Sequence, residues 1–250
     1  MQLFSPFCPS CRENLARNGD SFTCSRCGRV YPLKNGMVDF LTSLPLSDAQ
    51  QIVQKTFNDV ASSYDNAIVR LVEGLSCPWR EYTANLESFM ANAGGKVILD
   101  VGCGTAFPVG SFIPQTSIYL GMDISLEMLG HARALLGENL NAALWNIDAE
   151  RIPLPDNCID LCLALMAFNV FPNPHKAATE IHRVLKKDGG VFGTVFVSSP
   201  PEEIYSERPI EPSMVREILS VFDPALWELS FESQGGILFF HVRKNVKVSA

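Results

Sequence analysis

Residues 97–106 read Val-Ile-Leu-Asp-Val-Gly-Cys-Gly-Thr-Ala, and they are the most informative part of the chain for its fold. An apolar run suited to a buried strand carries a carboxylate near its end and continues into a turn with two glycines. Glycine adopts left-handed backbone without a steric penalty, and it lets the chain come close to a ligand. The stretch therefore predicts a strand that ends in a ligand-binding turn.

Apolar runs and helical stretches alternate from residue 96 onward, which predicts βαβ units and a mostly parallel sheet covered on both faces. The runs are KVILDV (96–101), SIYLGM (117–122), AALWNI (142–147), IDLCLAL (159–165) and GGVFGTVFV (189–197). The later runs ALWELSFES and ILFFHVRK flank Gln-Gly-Gly, and they predict an antiparallel hairpin. Before the alternation, residues 51–93 are expected to be helical with a break at 76–78, after a helix start near Ser47-Asp48.

Carboxylates follow three successive predicted strands, and they indicate which ligand the turn binds. Asp100 lies two residues before the first glycine, where it would repel a pyrophosphate but suit a cationic cofactor. Phe107 occupies the third glycine position of a nicotinamide-binding loop. Asp123 could accept hydrogen bonds from ribose hydroxyls, and Asp148, beside the small Ala149, could accept one from an adenine amino group. The pattern favours S-adenosylmethionine, which carries a sulfonium and an ammonium group, over NAD.

The stretches DVGCGTA, GMDIS, NIDAERIPLPDNCID and EIHRVLKKDGGVFGTV resemble a class I S-adenosylmethionine-dependent methyltransferase. They are most similar to the methyltransferase type 11 group, which includes the quinone-biosynthesis C-methyltransferases. FNDVASSYD, at 57–65, resembles the segment that precedes the core in that group. The resemblance covers about residues 52–243. It implies an α/β, Rossmann-like, seven-stranded sheet with a reversed C-terminal hairpin, and methyl transfer to an acceptor.

The resemblance also implies a set of cofactor contacts. These are Asp100, Gly102, Gly104, Asp123, Met128, Asp148, Ala149, Tyr64 and Leu165, with Cys103 and Ile124 as neighbouring candidates. One departure is Ala106, where the family usually has a third glycine. Because alanine is small, binding is still expected, in a tighter loop.

Two Cys-x-x-Cys pairs near the N-terminus predict a metal site. Cys8 and Cys11 are separated by twelve residues from Cys24 and Cys27, and four thiolates can close a tetrahedral site around Zn²⁺. A module of about 40 residues buries too little apolar surface to fold alone, so the metal is expected to be structural. Iron and a metal-free disulfide arrangement are the alternatives. The other four cysteines are expected to pack in the interior.

Residues 8–41 are similar to the zinc ribbon of bacterial 23S rRNA guanine-N1 methyltransferases, and to small zinc proteins that partner tRNA and protein methyltransferases. Residues 1–41 carry five basic and three acidic side chains, whereas the whole chain has a net charge of -7. The basic ribbon could therefore contact an anion such as RNA, or it could simply be a solvated surface. The acidic remainder argues against extensive nucleic-acid coating.

Catalytic residues are harder to identify, because methyl transfer from a sulfonium can proceed by positioning alone. His175 and Asn169 are weak candidates for a base or a substrate contact, whereas His182 is expected to be structural. The Met and Phe side chains at 166, 168 and 171 are expected to pack. The Asn/Asp-Pro-Pro-aromatic motif of enzymes that methylate exocyclic amines is absent from residues 163–175.

We therefore expect three parts: a zinc ribbon (1–41), a linker with a helical cap (42–93) and a methyltransferase domain (94–250). The helices and the ribbon should bound the cleft, since the segment 198–208 is short for a lid. A small-molecule acceptor is favoured. The alternatives are an rRNA or tRNA base methyltransferase and a non-catalytic module with the same fold. No signal peptide and no apolar run of ~18 residues is found, so a cytoplasmic protein without membrane insertion is expected. The oligomeric state is not predicted.

Overall fold

The computed structural model describes residues 5–137, 141–199 and 208–245. Its N-terminal part is a meander of four short strands. These are β1 (Leu15–Asn18), β2 (Ser21–Cys24), β3 (Val30–Lys34) and β4 (Met37–Asp39), and each pairs antiparallel with the next. We call this N-terminal segment the ribbon. Its strands bring the two cysteine pairs together at one end of the ribbon.

Three helices follow the ribbon: α1 (Asp48–Val60), α2 (Tyr64–Gly74) and α3 (Trp79–Met90). Helix α1 begins at a capping box, because the Ser47 hydroxyl accepts from the Gln50 amide at 3.3 Å and the Gln50 side chain accepts from the Ser47 amide at 2.9 Å. Both the predicted helix start and the predicted break at 76–78 are confirmed. Among the described residues, no helix is long and apolar enough to cross a membrane.

Seven strands form the predicted core sheet. They are β5 (Val97–Val101), β6 (Ile118–Asp123), β7 (Ala142–Asn146), β8 (Ile159–Leu165), β9 (Leu185–Phe196), β10 (Trp227–Gln234) and β11 (Ile237–Lys244). Their order is β7-β6-β5-β8-β9-β11-β10. The first five are parallel, and β11 runs antiparallel to both β9 and β10. The expected Rossmann-like sheet with its C-terminal hairpin is confirmed.

The remaining helices cover the sheet. They are α4 (Leu126–Leu136), α5 (Pro174–Val184) and α6 (Pro212–Ile218). Residues 200–207, which make up most of the short segment expected after β9, lie outside the described residues. His182 packs on the rings of Phe222 and Trp227, at 5.1 and 6.2 Å between centroids, in line with the structural role expected for it.

The ribbon does not form a separate sheet. Strand β4 pairs parallel with β7, with Val38 opposite Trp145 and Asp39 opposite Asn146, so the sheet has eleven strands. An edge strand presents unpaired N–H and C=O groups, and β4 satisfies those of β7. The three-part division at 41 and 93 stays a prediction, and the structure adds that the last ribbon strand belongs to the sheet of the large domain.

Glycine at one position of β9 is required by the packing of the hairpin. Gly193 lies opposite Phe240 on β11, and a Cβ at Gly193 would come within 2.1 Å of the Phe240 ring. We expect Gly193→Ala to lower the free energy of unfolding by about 1–3 kcal/mol, measured by chemical denaturation. Gly130, exposed on α4 with nothing near its absent Cβ, is the control. Gly130→Ala should raise the free energy of unfolding by about 0.5–1 kcal/mol. Equal denaturation midpoints for Gly193→Ala and Gly130→Ala would show that the packing of Gly193 against Phe240 does not require glycine.

Candidate functional site

The turn after β5 is shaped by two glycines in left-handed backbone. Gly102 has φ +71° and Gly104 has φ +54°. The amides of Gly102 and Cys103 both donate to the Met122 carbonyl, at 2.8 and 3.0 Å, which fixes the turn against the end of β6. A Cβ at Gly102 would lie 3.0 Å from that of Ala167, so the turn leaves no room for a side chain.

Ala106 adopts the same left-handed region, with φ +62°, and is fully buried. Glycine reaches this backbone conformation freely, whereas alanine reaches it at a cost of about 1–2 kcal/mol. Alanine in place of the glycine that the resemblance implies is therefore accommodated in the turn and adds local strain.

The three predicted carboxylates lie at one edge of the sheet. Asp100 is at the end of β5, Asp123 ends β6, and Asp148 follows β7, and all three are buried. Their strands are neighbours and parallel, so their carboxyl ends reach the same side. This edge is where open α/β sheets bind ligands.

Asp100 is held by one tyrosine. The Tyr119 hydroxyl donates to Asp100 Oδ2 at 2.8 Å. Burial raises the pKa of Asp100 to about 7, although the Tyr119 hydrogen bond favours the charged form. A cationic group next to this carboxylate would restore its ionisation. The site therefore suits a positively charged ligand.

Asp123 is held by backbone amides. Its two oxygens accept from Gly104 N–H at 2.9 Å and from Ser125 N–H at 2.8 Å. Burial raises the pKa of Asp123 to about 6. Each carboxylate oxygen can accept a further hydrogen bond, so this side chain can also bind hydroxyl groups of a ligand.

Asp148 is already paired. Its oxygens accept from the Glu150 amide at 2.6 Å and from the Arg151 guanidinium at 2.8 and 2.9 Å. Arg151 also donates to the Pro45 carbonyl at 3.2 Å. The sequence pattern did not indicate this ion pair. It fixes the direction of the carboxylate and leaves fewer lone pairs for an adenine amino group.

A cleft of about 750 Å³ opens at this edge. Eight of the eleven predicted cofactor residues line it: Tyr64, Gly102, Gly104, Asp123, Ile124, Asp148, Ala149 and Leu165. Asp100 and Cys103 line a smaller adjoining cavity of about 370 Å³, which shares Tyr64, Gly102 and Leu165 with the cleft. Met128 is buried in α4 and lines neither cavity. Ten of the predicted residues are thus brought together.

The helical cap supplies one wall of the cleft. Gln50, Val53 and Phe57 of α1 line it together with Tyr64 of α2. Their position confirms that the helices bound the cleft, whereas no described ribbon residue from 5 to 41 lines it. Of these four residues, the family resemblance implied Tyr64 alone, because half-buried apolar residues on a cap helix look like ordinary core residues.

The loop after β8 supplies the facing wall. Met166 and Phe171, which were expected to pack, line the cleft together with Ala167, Val170 and Pro172. Phe168 is buried and packs on Phe171 and Phe240, as expected. Packing and lining residues could not be separated from sequence, since both are apolar and lie in one short segment.

Neither weak catalytic candidate lines the two cavities among the described residues. The Asn169 carboxamide donates to the carbonyls of Phe196 and Arg208, both at 3.0 Å, and accepts from the Phe196 amide at 3.1 Å. His175 is exposed at the start of α5. Their catalytic roles stay predictions, and the geometry gives Asn169 a structural use at the end of β9.

The four ribbon cysteines come together. Their sulfur atoms all lie within 4.8 Å of one another, with 3.6 Å between Cys8 and Cys27 and 3.4 Å between Cys11 and Cys24. Four sulfurs around a tetrahedral zinc lie roughly 3.8 Å apart, given Zn–S distances of ~2.3 Å, whereas a disulfide needs ~2.05 Å. The cluster can hold a metal ion.

Known proteins resemble most of the chain. Residues 99–193 match the family described as "Methyltransferase domain". An uncharacterized chloroplastic methyltransferase of Arabidopsis thaliana is 26% identical over 242 residues, which is 86% of this chain and 68% of that protein. A ubiquinone/menaquinone biosynthesis C-methyltransferase of Cupriavidus necator is 31% identical over 163 residues, covering 61% of this chain and 64% of that protein.

Solved structures show the same fold. An S-adenosylmethionine-dependent methyltransferase from Aquifex aeolicus superposes with a TM-score of 0.55 at 17% identity, covering 78% of this chain and 98% of that chain. A chain from the complex of the Haloferax volcanii Trm112 methyltransferase activator with the putative methyltransferase gives 0.59 at 16% identity, covering 77% and 97%. The family match and the relatives support a class I S-adenosylmethionine-dependent methyltransferase, and they do not identify its acceptor.

The raised pKa of Asp100 predicts a pH-dependent affinity for S-adenosylmethionine. Because only about one tenth of a group with a pKa of about 7 is ionised at pH 6, binding of the cation should weaken roughly tenfold from pH 8 to pH 6. Calorimetric titrations across this range measure the effect, and Asp100→Asn should bind weakly with a flatter profile. A steep profile retained by Asp100→Asn would show that another group is responsible.

Proposed function

We propose that the protein transfers the methyl group of S-adenosylmethionine to a small, largely apolar acceptor. The observation that carries this proposal is the cleft with its adjoining cavity, which together bring three buried carboxylates at the sheet edge next to an apolar wall. The fold, the family match and the relatives support the first half of the proposal. The chemistry of the wall supports the second.

The residues present fit the cofactor. Asp123 would accept from the ribose hydroxyls, while Ile124 and Ala149 would lie against the adenine and Asp148 would accept from its amino group. Asp100, in the adjoining cavity, would face the ammonium group of the amino-acid end. When bound, the cofactor supplies an electrophilic methyl group on a sulfonium.

The acceptor would lie against the apolar wall. Val53, Phe57, Val170, Phe171 and Pro172 line the outer cleft, and aromatic walls suit a planar apolar molecule. These side chains would hold the acceptor in line with the methyl group and keep water away. Positioning of this kind can supply the catalysis without a dedicated base. The bond between sulfur and the methyl group would break to leave S-adenosylhomocysteine, and the proton that the acceptor loses would pass to solvent.

The charges of the cleft favour this class of acceptor over RNA. Among the described residues, the two cavities are lined by no Lys, Arg or His, and their ionisable lining includes Asp100, Asp123, Asp148 and Glu150. A phosphate backbone would be repelled by this set. Several relatives are named quinone-biosynthesis methyltransferases, which agrees with a planar apolar acceptor.

RNA methylation remains the second candidate because of the ribbon. Arg17, Arg26 and Arg29 are exposed there and could contact phosphates. These side chains belong to a segment that supplies no lining residue, so any RNA held by them would still have to reach an acidic cleft.

We also propose that the four ribbon cysteines hold Zn²⁺. The sulfur spacing and the donor set support zinc, and four thiolates leave no open position for substrate. The metal would therefore act on the structure and take no part in methyl transfer.

Calorimetry with S-adenosylhomocysteine tests the cofactor assignment. Wild type should bind, and Asp123→Ala should bind about 10- to 100-fold more weakly, since hydrogen bonds to a charged group are lost. Asp123→Asn keeps the size of the side chain and should also bind weakly, while Asp188→Ala removes an exposed carboxylate and serves as the control. No binding by the folded wild type would overturn the proposal.

Transfer of labelled methyl groups identifies the acceptor class. Demethylated quinone-type aromatics should be labelled, and total RNA should not. Phe171→Ala should lower kcat/KM for the aromatic acceptor about tenfold through lost stacking, whereas Phe231→Ala, on β10 away from the cleft, should not. Labelling of RNA would establish the second candidate. Cofactor binding without transfer to either class would favour the non-catalytic module.

A further inference from the structure

Strand β7 carries the sheet edge that the ribbon covers. Besides the β4 pairing, the Phe40 amide donates to the Asn146 carbonyl at 3.0 Å. Asn146 is the last residue of β7 and lies two residues before Asp148. The pairing of the ribbon with β7 therefore reaches the point where the loop that carries Asp148 begins.

Asn146 also bonds to the backbone at the end of β6. Its buried side chain donates to the carbonyl of Asp123 at 3.0 Å and to that of Ile124 at 2.8 Å. Its backbone is held by the ribbon, and its side chain holds the backbone on which the Asp123 carboxylate stands. One residue thus connects the ribbon to the loop after β6.

A second set of contacts holds the loop after β7. The Phe7 amide donates to the Pro153 carbonyl at 2.9 Å, and Arg12 donates to the Ile152 carbonyl at 3.3 Å. The loop that begins with Asp148 is thereby fastened to the segment that contains Cys8 and Cys11. The loop after β7 is thus bonded to the ribbon directly, and the loop after β6 is connected to it through Asn146.

The cysteine cluster is joined to the same edge by buried aromatic rings. The Tyr31 hydroxyl lies 3.3 Å from Cys8 Sγ. The rings of Tyr31 and Phe40 are 5.1 Å apart, and those of Phe40 and Trp145 are 5.7 Å apart. A segment this small depends on its metal to stay folded. Loss of the metal would release the aromatic contacts and uncover β7.

From these contacts we propose that the ribbon, when it holds its metal ion, keeps the backbone of the cofactor site in place. We call this role of the ribbon the clamp. It positions the loops after β6 and β7, and Asn146 is the positioning residue that transmits the effect. Metal occupancy and cofactor affinity are then coupled, although no ribbon residue from 5 to 41 lines the two cavities. The coupling to affinity rests on the proposed cofactor function, whereas the effect on the two loops does not.

The test compares the full chain before and after metal removal. The loaded protein should contain one zinc per chain by elemental analysis, and chelation or Cys27→Ser should remove it. Hydrogen exchange should then become faster in segments 121–125 and 142–153, while β8 and β9 stay protected and show that the core is folded. The affinity for S-adenosylhomocysteine should fall about tenfold, as expected for the loss of one or two hydrogen bonds.

The variant Asn146→Ala distinguishes an effect of the clamp on the cofactor site from a general loss of stability. This variant should keep its zinc and bind S-adenosylhomocysteine about tenfold more weakly. Metal removal should cost it less affinity than it costs wild type, because the connection is already cut. If metal removal lowers the affinity for S-adenosylhomocysteine equally in wild type and in Asn146→Ala, Asn146 does not transmit the effect of the ribbon and has only a structural role. Arg17→Ala, exposed on β1, is the control and should match wild type throughout.

These measurements distinguish failure of the proposed cofactor function from failure of the clamp. If the loaded protein binds no S-adenosylhomocysteine, the cofactor function fails, and the exchange data still decide whether the ribbon holds the two loops. Unchanged exchange in both segments after complete metal loss would overturn the clamp, as would a purified chain that contains no metal.

Discussion

Parallel strands in one sheet point their carboxyl ends to the same edge, and this constraint places Asp100, Asp123 and Asp148 in one region of the molecule. Taking three carboxylates out of water is costly unless each is paired or hydrogen-bonded. Asp148 has Arg151, and Asp123 has two backbone amides. Asp100 accepts from a tyrosine hydroxyl, and among the described residues no basic side chain lines its cavity. Burial raises the pKa of Asp100 to about 7, and a cationic ligand beside it would restore its charge.

The pairing of β4 along strand β7, at the side of the sheet, connects the ribbon to the structure of the site. Without β4, strand β7 would be an open edge whose last residue, Asn146, supports the Asp123 loop. Pairing with β4 buries that edge, and the Tyr31, Phe40 and Trp145 rings connect it to the cysteine cluster. The ribbon can therefore affect the cofactor site from outside the cleft.

Much of this architecture could be predicted from the sequence, because long apolar runs and glycine turns have strong local patterns. The seven core strands, the hairpin and the cysteine cluster are of this kind. The β4–β7 pairing is not, since Met37–Asp39 is too short for any periodicity and its partner lies over 100 residues away. Phe171 could not be told from a core residue. The bonding of the Asn169 carboxamide depends on where the Phe196 and Arg208 backbones come together.

A crystal structure of the complex with S-adenosylhomocysteine would show whether this sheet edge binds the cofactor. We expect the ribose hydroxyls within hydrogen-bond distance of the Asp123 carboxylate. We also expect the adenine between Ile124 and Ala149, and the amino-acid end directed toward Asp100 beyond Gly102. An adenosine bound elsewhere on the molecule, or a bound ligand whose ribose makes no contact with Asp123, would overturn this assignment of the site.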